Sequence, residues 1–140
     1  MSGRTEAARA VGELHTARMA GDLAAMCRLF AAEGRFEILG ASADKPIAIA
    51  AATLTQFRPW LAMMVKVFRL SDYALTSLIV EEPRAAARWR ADIYSKVTGA
   101  KVATELVDLV EVRGGLIVGY SEFFVPRAAD GDEPRTRSAP

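Results

Sequence analysis

The chain has 140 residues, enough for one domain with a real core, and 51% of them are hydrophobic against 25% charged, as in ordinary globular proteins. Its 18 basic and 17 acidic residues leave a net charge of +1, which excludes the basic surface that nucleic-acid binding needs. One cysteine and one histidine exclude an internal disulfide and a zinc site built on them, and no metal or cofactor is expected.

The N-terminus, Met1 to Glu6, has no apolar run behind its charge, so it does not read as an export signal. Residues 4–20 predict a first helix, with Ala7, Val11, Leu14 and Arg18 on one stripe. Gly21-Asp22 ends it and caps a second helix over 23–32, with Leu23, Met26 and Phe30 on one face. A short strand follows over 35–39. Asp44-Lys45-Pro46 then reads as the start of a long third helix, Asp as cap and Pro in the first turn, with Pro59 inside it. The apolar stretch 47–70 carries Gln56, Arg58, Lys66 and Arg69, charges that a membrane-spanning helix would not hold near its middle. The expectation is a cytoplasmic protein with no membrane association.

From Ser71 the texture changes to β. Four runs follow, at 73–81, 84–97, 101–112 and 116–125, joined by Glu82-Pro83, Thr98-Gly99-Ala100 and Arg113-Gly114-Gly115. Such short joints predict an antiparallel meander. The domain is expected over 1–126, with a disordered, polar tail over 127–140. Helices first and strands after predict an α+β fold.

At this point the chain resembles a known group. Met19-Ala20-Gly21-Asp22-Leu23, Leu29-Phe30-Ala31 and Arg35-Phe36-Glu37 are similar to the opening of nuclear-transport-factor-2-like, SnoaL-like proteins. The run from Val112 to Tyr120 is similar to their last hairpin. The resemblance implies a cone: three N-terminal helices on the concave face of a curved, mostly antiparallel sheet. It also implies a cavity between the two layers. It does not choose among isomerases, cyclases, hydrolases, dehydratases and non-catalytic binders.

Alternation along the strands suggests what lines that cavity. If each Gly-bearing joint is a three-residue loop, even positions meet even positions. Arg90, Asp92 and Tyr94 then share a face with Asp108, Tyr120 and Glu122. Arg90-Ala91-Asp92 with Glu122 resembles the Arg-x-Asp and distal acid of limonene-epoxide hydrolase. That resemblance implies Asp92 as base, Arg90 as bridge and Glu122 as acid. Phe36 and Ile38 stand where that family holds its water with Tyr and Asn. In the ketosteroid isomerase comparison only Asp108 matches; Ile38 replaces the base and Leu14 the tyrosine. Further candidates for the pocket wall are His15, at the mouth from the first helix, and Trp60 and Met64 in the third.

Three functions fit: an acid–base enzyme acting on an apolar small molecule, a non-catalytic binder of such a molecule, or a dimerising domain whose charges fix the fold. The odd-numbered row Ala87, Trp89, Ala91 and Ile93, with Val107, Leu109 and Phe123, suggests a homodimer on the outer sheet face.

Overall fold

The computed structural model describes residues 3–42 and 45–127. The helix cap expected at Asp44 and all of the expected tail beyond Arg127 lie outside these residues.

Helix α1 (Gly3–Ala20) forms where the stripe predicts it. Ala7, Ala10, Val11, Leu14 and Ala17, three or four apart, are all buried. His15 and Arg18 lie in the same buried sector. Gly21 takes φ +69, a left-handed conformation that a side chain resists, and ends the helix. The Asp22 carboxylate accepts the Ala25 N–H at 3.0 Å and starts α2 (Leu23–Arg28).

Two expectations fail next. The second helix stops at Arg28 rather than 32, because Phe30 already belongs to β1 (Phe30–Ser42). Phe30 pairs with Ile117 of a distant strand, and the Ile117 N–H donates to Leu29 O at 2.8 Å, so sheet pairing overrides local helix propensity. Residues 45–52, expected as helix, form strand β2 (Lys45–Ala52). Ile47, Ile49 and Ala51 alternate with exposed residues, a period of two rather than 3.6. Pro46 is tolerated because β2 is an edge strand. The third helix, α3, covers only Leu54–Lys66; its Thr53 cap accepts the Gln56 N–H, and Phe57, Leu61 and Met64 are its buried face.

Strands β3 (Phe68–Glu81), β4 (Arg84–Ser95), β5 (Lys101–Arg113) and β6 (Leu116–Pro126) complete one curved sheet in the order β2-β1-β6-β5-β4-β3. Among the described residues, only β1 and β6 run parallel. Helix α1 lies over β3, β4 and β5, and α3 over β1, β2 and β3. The face under the helices is the inner face of the sheet. The fold is α+β, with three helices among the described residues, as expected.

The register departs from the expected parity at one joint. Tyr94 pairs with Lys101, and the Ser95 N–H donates to Ala100 O at 2.9 Å. The loop between them is 96–99, an even number of residues. Ser95 Oγ accepts the N–H groups of Val97 and Thr98, each at 3.2 Å, which winds this tighter turn. Odd residues of β4 therefore meet even residues of β5. Ala85, Ala87, Trp89 and Ala91 are buried on the inner face, while Arg88, Arg90, Asp92 and Tyr94 belong to the outer one. The last hairpin keeps the expected parity by a different route. Gly114 and Gly115, both at positive φ, make a two-residue turn, and Val118 is an extra residue in β6 that shifts the register back.

Gly40 of β1 sits where a Cβ would come within 2.5 Å of both the ring and the carbonyl oxygen of Phe124. Backbone cannot retreat as a flexible side chain can. Gly40→Ala is expected to cost about 1–3 kcal/mol, the usual range for overpacking. An unchanged urea midpoint would show that the strands do not approach so closely.

A candidate acid–base site under helix α1

Seven side chains from five elements meet on the inner face, Tyr120 of β6 among them beside Glu122. Helix α1 supplies His15 and Arg18, three residues apart and so on one side of the helix. Asp108 of β5 and Glu122 of β6 are directly paired across the sheet. Trp89 of β4 pairs with Leu106 and is thus the diagonal neighbour of Asp108. Tyr73 comes from a bulge in β3, where Asp72 and Tyr73 together oppose the single residue Ala91. Asp72 takes φ +58 there, a conformation Asp tolerates better than most residues.

The hydrogen bonds form two connected chains. His15 Nδ1 lies 2.8 Å from the Tyr73 hydroxyl and Nε2 lies 2.8 Å from Asp108 Oδ2. Arg18 Nη1 donates to Glu122 Oε2, and the Tyr120 hydroxyl donates to the same oxygen at 2.8 Å. The Trp89 ring joins the two chains, 4.6 Å from the His15 ring centre and 5.2 Å from the Arg18 guanidinium. Arg18 is 7% exposed, His15 and Glu122 2%, and Asp108 and Trp89 not at all. Tyr73, at 38%, is the member that reaches solvent.

Burial sets the charge states. It pushes Glu122 up to about 7, against the pull of Arg18 and with help from the Asp108 charge. Burial likewise raises Asp108, although Glu122 and Arg18 work against it. Burial and the Arg18 charge lower His15 to about 4, so its ring is neutral at physiological pH. Burial opposes the charge on Arg18, but Glu122 and Tyr120 outweigh it and the guanidinium stays protonated. Burial carries Tyr120 well above its usual range, so it acts as a neutral hydroxyl.

Among the described residues, three buried polar atoms have no protein partner: Arg18 Nε, Trp89 Nε1 and Asp108 Oδ1. The Trp89 N–H lies close enough to Asp108 to favour its charge, yet no hydrogen bond closes. Two donors and one acceptor left open in one cluster suit an oxygen that accepts and donates, such as a hydroxyl or water. Beside them Trp89, Ala91 and Leu106 make an apolar patch, against which half-buried Met19, Leu70 and Phe124 pack.

Of the residues picked out from the sequence, His15, Phe36, Ile38, Met64, Asp108, Tyr120 and Glu122 are all buried in the interior. Arg90 and Asp92 do not join Glu122. The even-length loop 96–99 turns them to the outer face, where Arg90 is exposed and Asp92 half-buried. Tyr94 goes with them and packs under the Arg69 guanidinium. Trp60 is 36% exposed on α3, away from that helix's buried face. Trp89, expected at an outer interface, is instead fully buried beneath α1. An open trough of about 800 Å³ lies across the outer face between Arg35, Glu37, Arg84 and Leu109, and neither Asp108 nor Glu122 lines it.

Sequence reading missed Arg18, Tyr73 and Trp89 as members of the site. Arg18 carried a signal: a charged residue on the apolar stripe of a helix needs a buried partner. Tyr73 carried none, because its direction depends on the bulge.

Among the described residues, no group of three or more His, Cys, Asp or Glu side chains is placed to hold a metal ion. No helix in them is long and apolar enough to cross a membrane.

Comparison with solved structures places this arrangement in a known fold. A candidate isomerase from Bacillus subtilis superposes with a TM-score of 0.76 at 17% identity, covering 89% of each chain. An LEH-like epoxide hydrolase from M. tuberculosis gives 0.69 at 16% identity, covering 86% of this chain and 83% of that one. A Catenulispora acidiphila protein with a ketosteroid isomerase-like fold, in complex with trimethylamine, gives 0.65 at 17% identity, covering 81% and 82%. At these identities the likeness is one of fold. No curated protein matches the chain significantly. The SnoaL-like domain matches residues 11–120, most of the chain, and the protein therefore belongs to the SnoaL-like family.

Proposed function

We propose that this chain binds an apolar small molecule and transforms it by acid–base chemistry, either water addition or proton transfer. The expected trio of Asp92, Arg90 and Glu122 gives way to a different cluster, in which Asp108 pairs across the sheet with Glu122 and Arg18 holds Glu122 alone. Glu122, which keeps its proton up to about pH 7, is the acid that protonates a substrate oxygen. Asp108, facing it and bonded to His15, is the base. Burial and the Asp108 charge hold the proton on Glu122 against the pull of Arg18. Met19, Leu70 and Phe124 form the apolar wall on which the substrate body lies.

The observation that carries this reading is the set of open atoms, Arg18 Nε, Trp89 Nε1 and Asp108 Oδ1. A charge network that served the fold alone would be expected to satisfy its own donors and acceptors. The competing structural reading has its own support, since the acids are sealed and largely tied to protein partners. A panel of epoxides, enones and lactones decides between them. Turnover supports the enzyme; binding without turnover makes the chain a binding module; neither leaves the fold-fixing role.

We also propose a cytoplasmic homodimer built on the outer sheet face. Leu109, Phe123 and Val125 are 45%, 38% and 53% exposed there. An Arg88–Glu105 pair at 3.2 Å borders them. Sedimentation at micromolar concentration is expected to give a dimer, and Phe123→Lys a monomer. A wild-type monomer would remove this interface.

A further inference from the structure

The Tyr73 hydroxyl, the His15 ring and the Asp108 carboxyl make one unbroken hydrogen-bonded line, with both gaps at 2.8 Å. Along it the exposure falls from 38% to 2% to zero. The line ends at the carboxyl that faces Glu122. We propose that Tyr73 and His15 are a proton wire that connects the buried acid pair to the exterior. The proposal deepens the acid–base reading above and rests on it for its purpose.

An acid and a base buried together must recover their protonation states after each cycle. No other member of the cluster leads outward, because Arg18, Trp89, Tyr120 and Glu122 are all buried. Imidazole suits the middle position, since it can accept at one nitrogen while donating from the other. The inward step balances as follows. The Tyr73 O–H breaks as Nδ1–H forms, Nε2–H breaks as Oδ2–H forms on Asp108, and the Tyr73 oxygen takes a proton from water. The ring leaves neutral, in its other tautomer. The reverse step carries a proton out. Every element around His15 sets this up: Arg18 on α1, Tyr73 on β3, Trp89 on β4, Asp108 on β5 and Glu122 on β6. Burial and Arg18 keep the ring neutral down to about pH 4, so one nitrogen always has a free lone pair. The bulge at Asp72 and Tyr73 brings the tyrosine edge-on to the imidazole, with ring centres 5.5 Å apart.

His15 is the sole histidine of the chain, so ¹⁵N-histidine labelling reports on one ring. The test is the rate at which its N–H proton exchanges with water, read by NMR on the full chain without substrate. Tyr73→Phe removes only the hydroxyl and is expected to slow this exchange tenfold or more. A tyrosine that merely packed against the ring would leave the rate unchanged, or raise it by loosening the packing, and either result overturns the wire. If Tyr73→Phe does not fold, wild-type chain grown with 3-fluorotyrosine provides the second measurement. Its more acidic hydroxyl is expected to speed exchange, and an unchanged rate overturns the proposal. Because no substrate is involved, slowed exchange in a protein that turns over nothing would keep the wire while removing the enzyme reading.

Discussion

Replacing Arg18 with methionine is expected to cost about 3–5 kcal/mol of stability at pH 8, the usual loss when one partner of a buried ion pair is removed. At pH 5 the cost should be much smaller. The reason is Glu122, whose pKa rises on folding from 4.5 to about 7. A raised carboxyl contributes stability that is fully present below pH 4.5 and is lost as pH rises through about 7. The shift corresponds to about 3 kcal/mol. Without Arg18 the main influence lowering that pKa is gone. Glu122 then stays protonated to higher pH, and each further unit of pH costs more than it does in the wild type. His15 works in the opposite direction. Its folded pKa of about 4 lies below the ordinary 6.5, so its contribution is present above pH 6.5 and lost as pH falls through 4. Variant and wild type must therefore be compared at each pH, by urea denaturation, rather than along one curve. A double variant, Arg18→Met with Glu122→Gln, should recover most of the pH 8 loss. If it does not, the loss came from packing against Trp89 and not from a stranded carboxylate.

The expectation that Arg90 and Asp92 join Glu122 shows where the sequence stops being legible. Periodicity located α1, both glycine-marked turns and the four late strands, because each is a local pattern that burial enforces. It also placed Asp108, Tyr120 and Glu122 on one face, since they lie on strands joined by a hairpin whose parity came out as expected. Arg90 and Asp92 were misplaced by one residue of loop length, and one residue reverses a whole strand. Ser95, whose hydroxyl organises that loop, is a weak signal in sequence and a decisive one in structure. Residues 45–52 misled for another reason: Asp-x-Pro is a fair helix start, but the alternation after it pairs with β1, and that pairing is not local. Arg18 was read correctly onto the buried stripe, yet its partner lies 104 residues away on the last strand.

The largest functional effect is expected from Glu122→Gln. Glutamine keeps the shape of the protonated acid, and its carbonyl oxygen can still accept from Arg18 and Tyr120, as Glu122 Oε2 does. At pH 7 Glu122 is already about half protonated, so the fold loses little by the change. What is lost is the ability to give and take a proton. General acid catalysis contributes about 10²–10⁴ in rate, and kcat on whichever epoxide, enone or lactone the wild type accepts should fall by that factor. KM should change little, because the substrate body lies on Met19, Leu70 and Phe124 rather than on the acid. Asp92→Asn supplies the contrast. Asp92 sits on the outer face, beyond the reach of Trp89, Asp108 and Glu122, and its replacement is expected to leave turnover intact. Should Asp92→Asn abolish turnover while Glu122→Gln keeps it, the chemistry would belong to the outer face, and the buried network would be a device of the fold alone.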